Sequence, residues 1–265
     1  MDIGSALTLS GLVLVLGTAV AYLVLLFVVH GFTYRTWIFH AVEALGIGLA
    51  AAGWLAGGSG LVAALAVAIG VLWFAVTWHE LRLVGSSGIR VRPGDRMPAF
   101  DATTTGGIPF TDADLVSQAP ALLVLYRGWW CPSSKVQLDE VLSNHAPLNA
   151  AGIAIFAGSV DSPAESEPMQ QYVGAGFTIL CDIPVSLLDT IGVRDTRGAP
   201  WYDRLLFGAA HRDISMPAAV VVDGSGRIRY AHRSTQVDDR PKPAEILASV
   251  GRGIDWTRPA HPGPR

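Results

Sequence analysis

The chain has 265 residues, a net charge of −3 and an apolar content of 51%, with a mean hydropathy of +0.39. This composition is too apolar for an ordinary soluble protein. The absence of a basic patch with interleaved aromatic residues excludes a nucleic-acid-binding protein. The two cysteines argue against a disulfide framework and fit a reducing compartment.

The excess of apolar residues lies at the start of the chain. Residues 6–29, 37–55 and 61–78 form three apolar stretches, each close to the ~20 residues that cross a bilayer core. They predict three transmembrane helices in a membrane region of residues 1–82. A cleaved signal peptide is the weaker interpretation of the first stretch, because Asp2 stands where basic residues would be expected and the stretch is too long.

The distribution of arginines predicts the orientation of these helices. The side that holds the N-terminus and residues 57–60 has no Lys or Arg. The other side holds Arg35, Arg82, Arg90, Arg92 and Arg96. The positive-inside rule predicts a multi-pass protein of the cell membrane whose following domain is cytoplasmic.

Four ionisable residues lie toward the same side of the membrane region: His30, His40, Glu43 and His79. His40 and Glu43 are three residues apart and share a helix face. Such groups suggest a function, so a metal, haem or quinone is conceivable. Histidines near helix ends are also ordinary interface residues. We therefore expect an anchor in contact with the lipid bilayer, and no metal or cofactor.

A linker of residues 83–93 leads into a domain predicted over residues 94–255, which a loose proline-rich tail of residues 256–265 follows. Apolar runs predict strands near 119–126, 153–158, 177–181, 218–222 and 227–232, and helical spacing predicts helices near 133–149, 163–174, 185–191 and 243–252. Alternating strands and helices predict an α/β fold, a central sheet flanked by helices on both faces.

Cys131 lies where the first of these strands ends and a helix begins. A helix N-terminus offers unpaired N–H groups and a partial positive charge. That field favours the thiolate, which is the reactive form of cysteine. Pro132 suits a first helical turn. We therefore interpret Cys131 as a nucleophile; the alternative is a small buried apolar residue.

Four segments together resemble the peroxiredoxins of the alkyl hydroperoxide reductase/thiol-specific antioxidant branch, over residues 94–250. They are Pro93–Phe100 (P-G-x-x-x-P-x-F), Tyr126–Ser134, Cys181–Pro184 and Met216–Gly226. The resemblance implies a thioredoxin-like fold and a thiol-dependent peroxidase. It also implies a peroxide substrate and an external reductant, either a thioredoxin-like protein or a low-molecular-weight thiol.

The chain departs from the family pattern at three places. Gly128 stands where typical members have a Thr or Ser three residues before the cysteine, and Val124 stands where they have a proline. The nearer pattern, R-G-x-W-C-P-x-C, ends here in Ser134 instead of a second cysteine. A dithiol exchange within this motif is therefore impossible.

The resemblance implies catalytic roles for three residues. Cys131 would attack the outer oxygen of a hydroperoxide and become a sulfenic acid. Arg127 would stabilise the thiolate, or would be a salt-bridged surface arginine. Pro217 would be a cis-proline that keeps a backbone edge open, or an ordinary trans proline. A second arginine is expected, with Arg204 and Arg212 as candidates.

The remaining site residues have two interpretations each. Trp129, Trp130 and Pro132 would line the substrate pocket, although aromatic residues also fill cores. Ser134 would donate to the sulfur or only continue the start of the helix. Cys181 would resolve the sulfenic acid, or would be a substitution in the core, which we favour.

The expected function is reduction of hydrogen or organic peroxides, including lipid peroxides, by a one-cysteine mechanism. One alternative is a monothiol protein that exchanges with disulfides, which Gly128 and Pro217 favour. The other is a non-enzymatic redox sensor at the membrane.

Overall fold

The computed structural model describes residues 2–27, 37–81, 88–199, 201–209, 213–234 and 243–250. These residues form two compact units. The first unit is built from the first 82 residues, and the second from the described residues that follow. His30, the linker residues 83–87 and the tail lie outside the described residues.

The first unit consists of three helices: α1 (Ile3–Phe27), α2 (Trp37–Leu55) and α3 (Gly60–Leu81). Each contains a segment long and apolar enough to cross a membrane, Ile3–Leu25, Trp37–Leu55 and Gly60–Thr77 respectively. The prediction of three such helices is confirmed. His79 lies within α3, but its side chain is not among those described.

Helices α1 and α2 pack backbone to backbone through small residues. A methyl group added to Gly11 would lie 2.5 Å from the backbone nitrogen of Ala50 and 2.5 Å from the carbonyl oxygen of Gly46. A methyl group on Gly17, in the same helix, would meet nothing within 4 Å. Close approach through glycine is a usual way for membrane helices to associate.

The second unit is built on a seven-stranded mixed sheet with strand order β2-β1-β5-β4-β3-β8-β9. In chain order its strands are β1 (Asp101–Thr104), β2 (Pro109–Thr111), β3 (Ala121–Leu125), β4 (Ala154–Gly158), β5 (Thr178–Cys181), β8 (Ala218–Val222) and β9 (Ile228–Arg233), while β6 (Arg194–Asp195) and β7 (Ile214–Ser215) form a separate pair. Strands β3, β4 and β5 are parallel, and the other pairs in the sheet are antiparallel.

Helices flank this sheet, as the sequence predicts. They are α4 (Asp112–Ser117), α5 (Pro132–Ser143), α6 (His145–Ala150), α7 (Pro163–Val173), α8 (Val185–Ile191), α9 (Trp201–Phe207) and α10 (Pro243–Val250). The single helix predicted over 133–149 is wrong, because the helix is interrupted at Asn144. Pro147 lacks the N–H that a continuous helix would need and crowds the preceding turn.

Three parallel strands bring their carboxyl ends to one edge of the sheet. All five residues of β3 are buried, so it is a central strand with both faces covered. On one face, Leu122, Val124 and Tyr126 join a core cluster with Leu138 of α5 and Ile246 of α10. The loops that follow β3, β4 and β5 therefore meet at this edge, which we call the carboxyl edge.

Candidate active site

Cys131 is the residue that caps the N-terminus of α5. Its backbone is extended (φ −82°, ψ 116°), Pro132 follows it inside the helix, and no side chain caps this helix end. The Cys131 N–H donates to the carbonyl oxygen of Gly128 at 3.2 Å, which closes a tight turn. The side chain is only 3% exposed. The thiol therefore lies in the partial positive charge of a helix N-terminus and away from bulk water.

Arg127 is buried beside this turn. Its side chain is 7% exposed, and its guanidinium carbon lies 5.5 Å from the centre of the Trp130 ring, a cation–π contact. Its Nε has no hydrogen-bond partner among the described residues. The alternative interpretation as a salt-bridged surface arginine is therefore wrong. An N–H donor that is buried and still available can serve an incoming anion or oxygen atom.

Ser134 joins the first turn of α5 to the end of β3. It is completely buried, and its Oγ accepts a hydrogen bond from the Arg127 N–H at 3.2 Å. Its own N–H donates to the Cys131 carbonyl oxygen at 3.0 Å. Ser134 thus fixes the turn that carries Arg127 and Cys131.

Trp130 explains why residue 128 is a glycine. A methyl group placed on Gly128 would lie 2.9 Å from Cε2 of Trp130 and 3.0 Å from Oδ2 of Asp161. Trp130 is 3% exposed. The indole thus occupies space that the side chain of a Thr or Ser would need. Trp129 is partly buried and packs against the core cluster.

Asp161 is a site residue that the sequence analysis missed. It is 1% exposed, and its Oδ2 accepts a hydrogen bond from the backbone N–H of Trp129 at 2.9 Å. Its carbonyl oxygen accepts from the Asp182 N–H at 2.9 Å. Asp161 therefore ties together the three loops of the carboxyl edge. The signal in the sequence was a carboxylate three residues after the end of β4, the strand that pairs in parallel with β3.

The prediction of a cis peptide bond at Pro217 is wrong. Among the described residues the cis bond is Ala119–Pro120. The backbone edge next to Pro217 is also closed, because the Met216 N–H donates to the Val193 carbonyl oxygen at 2.6 Å and the Pro217 carbonyl oxygen accepts from the Ser234 N–H at 2.8 Å. Hydrogen bonds within the chain therefore occupy the Met216 N–H and the Pro217 carbonyl oxygen, the backbone groups that a partner protein would need at this edge.

Neither proposed second arginine is placed at the site. Arg204 is exposed on α9, and Arg212 lies outside the described residues. The structure offers Arg233 instead, which is 9% exposed and ends β9. It pairs with Ala218, which pairs with the last residue of β3, so it lies at the carboxyl edge.

Burial lowers the pKa of Arg233, which the negative charge of Asp195 partly counteracts. Its Nε has no hydrogen-bond partner among the residues that the structure describes. The sequence predicts a strand that ends one residue earlier, at residue 232, and only the pairing of β3, β8 and β9 locates Arg233 at the carboxyl edge.

Cys181 is the last residue of β5 and is completely buried in the core cluster. Burial raises the pKa of its thiol to about 11. Both cysteines are free. A resolving cysteine must attack as a thiolate, so these properties favour a core residue. No group of three or more His, Cys, Asp or Glu within the described ranges is placed to hold a metal ion.

Comparison with known proteins identifies the family of this chain. The model of the AhpC/TSA family matches residues 93–231. The chain belongs to the AhpC/TSA family. The predicted peroxiredoxin-like domain of thioredoxin-like fold is thereby confirmed, and the family supports activity as a thiol oxidoreductase. No curated protein matches the sequence significantly.

Solved structures similar to this chain include peroxiredoxins of low sequence identity. Peroxidoxin BcpB from Mycobacterium tuberculosis is 14% identical, with coverage of 61% of this chain and 95% of that one and a TM-score of 0.48. Peroxiredoxin 5 from Alvinella pompejana is 17% identical, with coverage of 61% and 99% and a TM-score of 0.49. Reduced Prx3 from Vibrio vulnificus in complex with hydrogen peroxide is 16% identical, with coverage of 60% and 99% and a TM-score of 0.49.

Proposed function

We propose that this protein is a membrane-anchored thiol peroxidase that reduces hydrogen peroxide and organic hydroperoxides through Cys131. The observation that carries the proposal is the position of Cys131. It caps α5 without a competing side-chain cap, and Arg127, four residues earlier, is buried with an unused Nε donor. A thiolate and a positively charged hydrogen-bond donor are the two groups that this reaction needs.

In the first step the thiolate attacks the outer oxygen of the hydroperoxide. An S–O bond forms, the O–O bond breaks, and the sulfur loses two electrons to the peroxide. The products are the sulfenic acid and an alkoxide, which takes a proton from solvent and leaves as an alcohol, or as water when the substrate is hydrogen peroxide. Arg127 would stabilise the negative charge on the thiolate and on the departing oxygen.

The surrounding residues would hold this geometry. The Trp130 ring makes a cation–π contact with the Arg127 guanidinium, and the backbone N–H of Trp129 is hydrogen-bonded to Asp161. Pro132 and Ser134 set the first turn of α5. In this proposal Trp129 and Trp130 also limit access of water to the sulfenic acid.

Reduction of the sulfenic acid would use an external thiol. The first thiol forms a mixed disulfide with Cys131 and releases water, and a second thiol restores Cys131 and leaves as a disulfide. Cys181 is a poor internal substitute, because its raised pKa leaves little thiolate near neutral pH. The raised pKa of Cys181 supports a one-cysteine cycle with a thioredoxin-like protein or a low-molecular-weight thiol.

The three apolar helices would anchor this domain in the cell membrane. The arginine distribution described above supports a cytoplasmic domain. Fusion of a reporter after Arg265 tests the orientation. Activity of a reporter that works only outside the cytoplasm would contradict it.

Stopped-flow kinetics of the full chain in lipid nanodiscs tests the peroxidase. We expect fast tryptophan-fluorescence changes with hydrogen peroxide and cumene hydroperoxide, and a dimedone adduct on Cys131 found by mass spectrometry. The Cys131→Ser variant should lose both signals, and the Cys181→Ala variant should keep them. A folded protein whose Cys131 forms no sulfenic acid with either peroxide would refute the proposal.

Gly128 favours a second candidate, monothiol exchange with disulfides, because no hydroxyl group is present there to bind a peroxide. The closed backbone beside Pro217 weakens this candidate. Reaction with glutathione disulfide much faster than with either peroxide would select it. If the folded protein reacts with neither peroxides nor glutathione disulfide, the remaining candidate is a redox sensor.

A further inference from the structure

The indole nitrogen of Trp130 lies where residue 128 has no side chain. Apart from the residues next to Gly128 in the chain, the described atom nearest to the position of a Cβ there is Nε1 of Trp130. The next nearest are Cε2 of the same ring, at 2.9 Å, and Oδ2 of Asp161, at 3.0 Å. An N–H donor therefore takes the place that a hydroxyl group would have if residue 128 were a serine or threonine.

This N–H is available as a hydrogen-bond donor. The face of the Trp130 ring contacts the Arg127 guanidinium, and the edge of the ring contacts Gly128. Neither a cation nor a glycine Cα accepts a hydrogen bond, and no hydrogen bond between described residues uses Nε1. Trp130 is only 3% exposed, and a buried donor without a partner is unfavourable. An oxygen atom of a ligand would remove this deficit.

The donor belongs to the turn that carries Cys131. Trp130 directly precedes Cys131, and the Cys131 N–H donates to the Gly128 carbonyl oxygen at 3.2 Å. The thiol is therefore on the last residue of a closed turn, and the indole N–H is folded back to the first residue. Within the turn, the backbone N–H of Trp129 is hydrogen-bonded to Asp161 at 2.9 Å. These contacts hold the donor in place before a substrate arrives.

We infer that Trp130 is a catalytic residue, whose indole N–H donates a hydrogen bond to the peroxide where residue 128 offers no hydroxyl group. The inference rests on the proposed peroxidase function and deepens it. As the Cys131 thiolate attacks the outer oxygen, negative charge develops on the departing oxygen, which the N–H groups of Trp130 and Arg127 stabilise. The indole keeps its proton, and the departing alkoxide takes a proton from solvent as before.

The Trp130→Phe variant tests this role, because phenylalanine keeps a ring beside Arg127 and lacks the N–H. We expect the rate constant for sulfenic acid formation to fall roughly tenfold, the effect of about one hydrogen bond. Quenched-flow mass spectrometry of the dimedone adduct on Cys131, with the full chain in nanodiscs, measures this constant. The control is Trp201→Phe, which removes an indole that is 67% exposed and should leave the rate unchanged. An unchanged rate in Trp130→Phe would overturn the inference.

Alkylation of Cys131 distinguishes a catalytic N–H from a structural one. Iodoacetamide reacts with the same thiolate, but iodide leaves and no charge develops on an oxygen atom. Trp130→Phe should therefore react with iodoacetamide at the wild-type rate while its reaction with peroxide is slower. Equal losses in both reactions would show that the ring only holds Cys131 in place, and would overturn the inference.

A hydroxyl group at residue 128 gives a second test that does not depend on Trp130→Phe. The Trp130→Ala variant removes both the N–H and the ring that crowds Gly128. In this background Gly128→Ser supplies a donor at the same place and should regain part of the lost rate, whereas Gly128→Ala should regain none. Equal rates of the two double variants would overturn the inference.

The same measurements separate this inference from the proposed function. If wild-type Cys131 forms no sulfenic acid with either peroxide, the proposed function fails and the role of Trp130 fails with it. If wild type reacts and Trp130→Phe reacts equally fast, only the role of Trp130 is refuted.

Discussion

The two cysteines of this chain have opposite surroundings although both are buried. Cys131 is 3% exposed and Cys181 0% exposed, so accessibility does not distinguish them. Cys131 begins a helix, four residues after the buried Arg127. Cys181 ends a strand, where burial above all raises the pKa of its thiol to about 11. A hydrogen bond with Ser166 opposes this rise, and the carboxylates of Asp182, Asp161 and Glu167 add to it.

In the proposed mechanism, the backbone around a buried thiol and the sign of the neighbouring charges decide its chemistry. A helix N-terminus provides N–H groups that stabilise an anion, whereas a core strand has already used its N–H groups in the sheet. The thiol at the start of α5 and the thiol at the end of β5 are therefore expected to differ in reactivity by orders of magnitude. Four experiments test this contrast.

Replacement of each cysteine in turn should give the largest difference in rate. We expect the Cys131→Ser variant to lose at least about 10³-fold of the rate of peroxide reduction, because the nucleophile itself is removed. The Cys181→Ala variant should stay within about threefold of wild type, with a stability loss of about 1 kcal/mol from the small cavity. Peroxide consumption and thermal unfolding are the measurements. A comparable loss of rate in Cys181→Ala would contradict the contrast.

Removal of the positive charge of Arg127 should have the next largest effect. We expect the Arg127→Gln variant to lose about 10²-fold in the rate constant for sulfenic acid formation, because a charged donor to the departing oxygen is lost. Stopped-flow kinetics measures this constant. The Arg92→Gln variant, which changes an exposed arginine, is the matched control. Equal rates in both variants would show that Arg127 has no role in the reaction.

Local patterns in the sequence were sufficient to predict some of the strands and helices and the position of Cys131. Strand β8 and helix α8 have their predicted bounds, Ala218–Val222 and Val185–Ile191. Each is an apolar segment that a proline precedes and an Asp or Gly follows. Cys131 was placed correctly between β3 and α5 because a buried run gives way there to helical spacing.

The remaining features depend on contacts between segments distant in sequence. The bond from the Trp129 N–H to Asp161 joins two loops, and Arg233 reaches the carboxyl edge only through the pairing of β3, β8 and β9. Strand β1 was missed because Ala102 alone among its residues is buried, which leaves no periodic pattern. The cis peptide bond predicted at Pro217 came from the resemblance to the family and not from contacts that the sequence of this chain reveals.

Crowding around Gly128 predicts a smaller, structural effect near Cys131. We expect the Gly128→Thr variant to lose about 1–3 kcal/mol of stability, because the new side chain would overlap Trp130. In a Trp130→Ala background the same substitution should cost less, since the indole is absent. Thermal unfolding of the four proteins gives the coupling energy. Additive effects would show that Trp130 is not what excludes a side chain at residue 128.

The smallest signal concerns the thiol that we expect to be inert. With a pKa of about 11, the Cys181 thiolate is roughly 0.1% of the total at pH 8. Iodoacetamide should therefore label Cys181 very slowly in the native Cys131→Ser variant at pH 8. Labelling should become faster as the pH rises toward 11, because the fraction of thiolate increases. Denaturation at pH 8 should also restore the rate of an ordinary cysteine, since it removes the burial. Rapid labelling of native protein at pH 8 would show that Cys181 is accessible and ionised, and would reopen its role as a resolving cysteine.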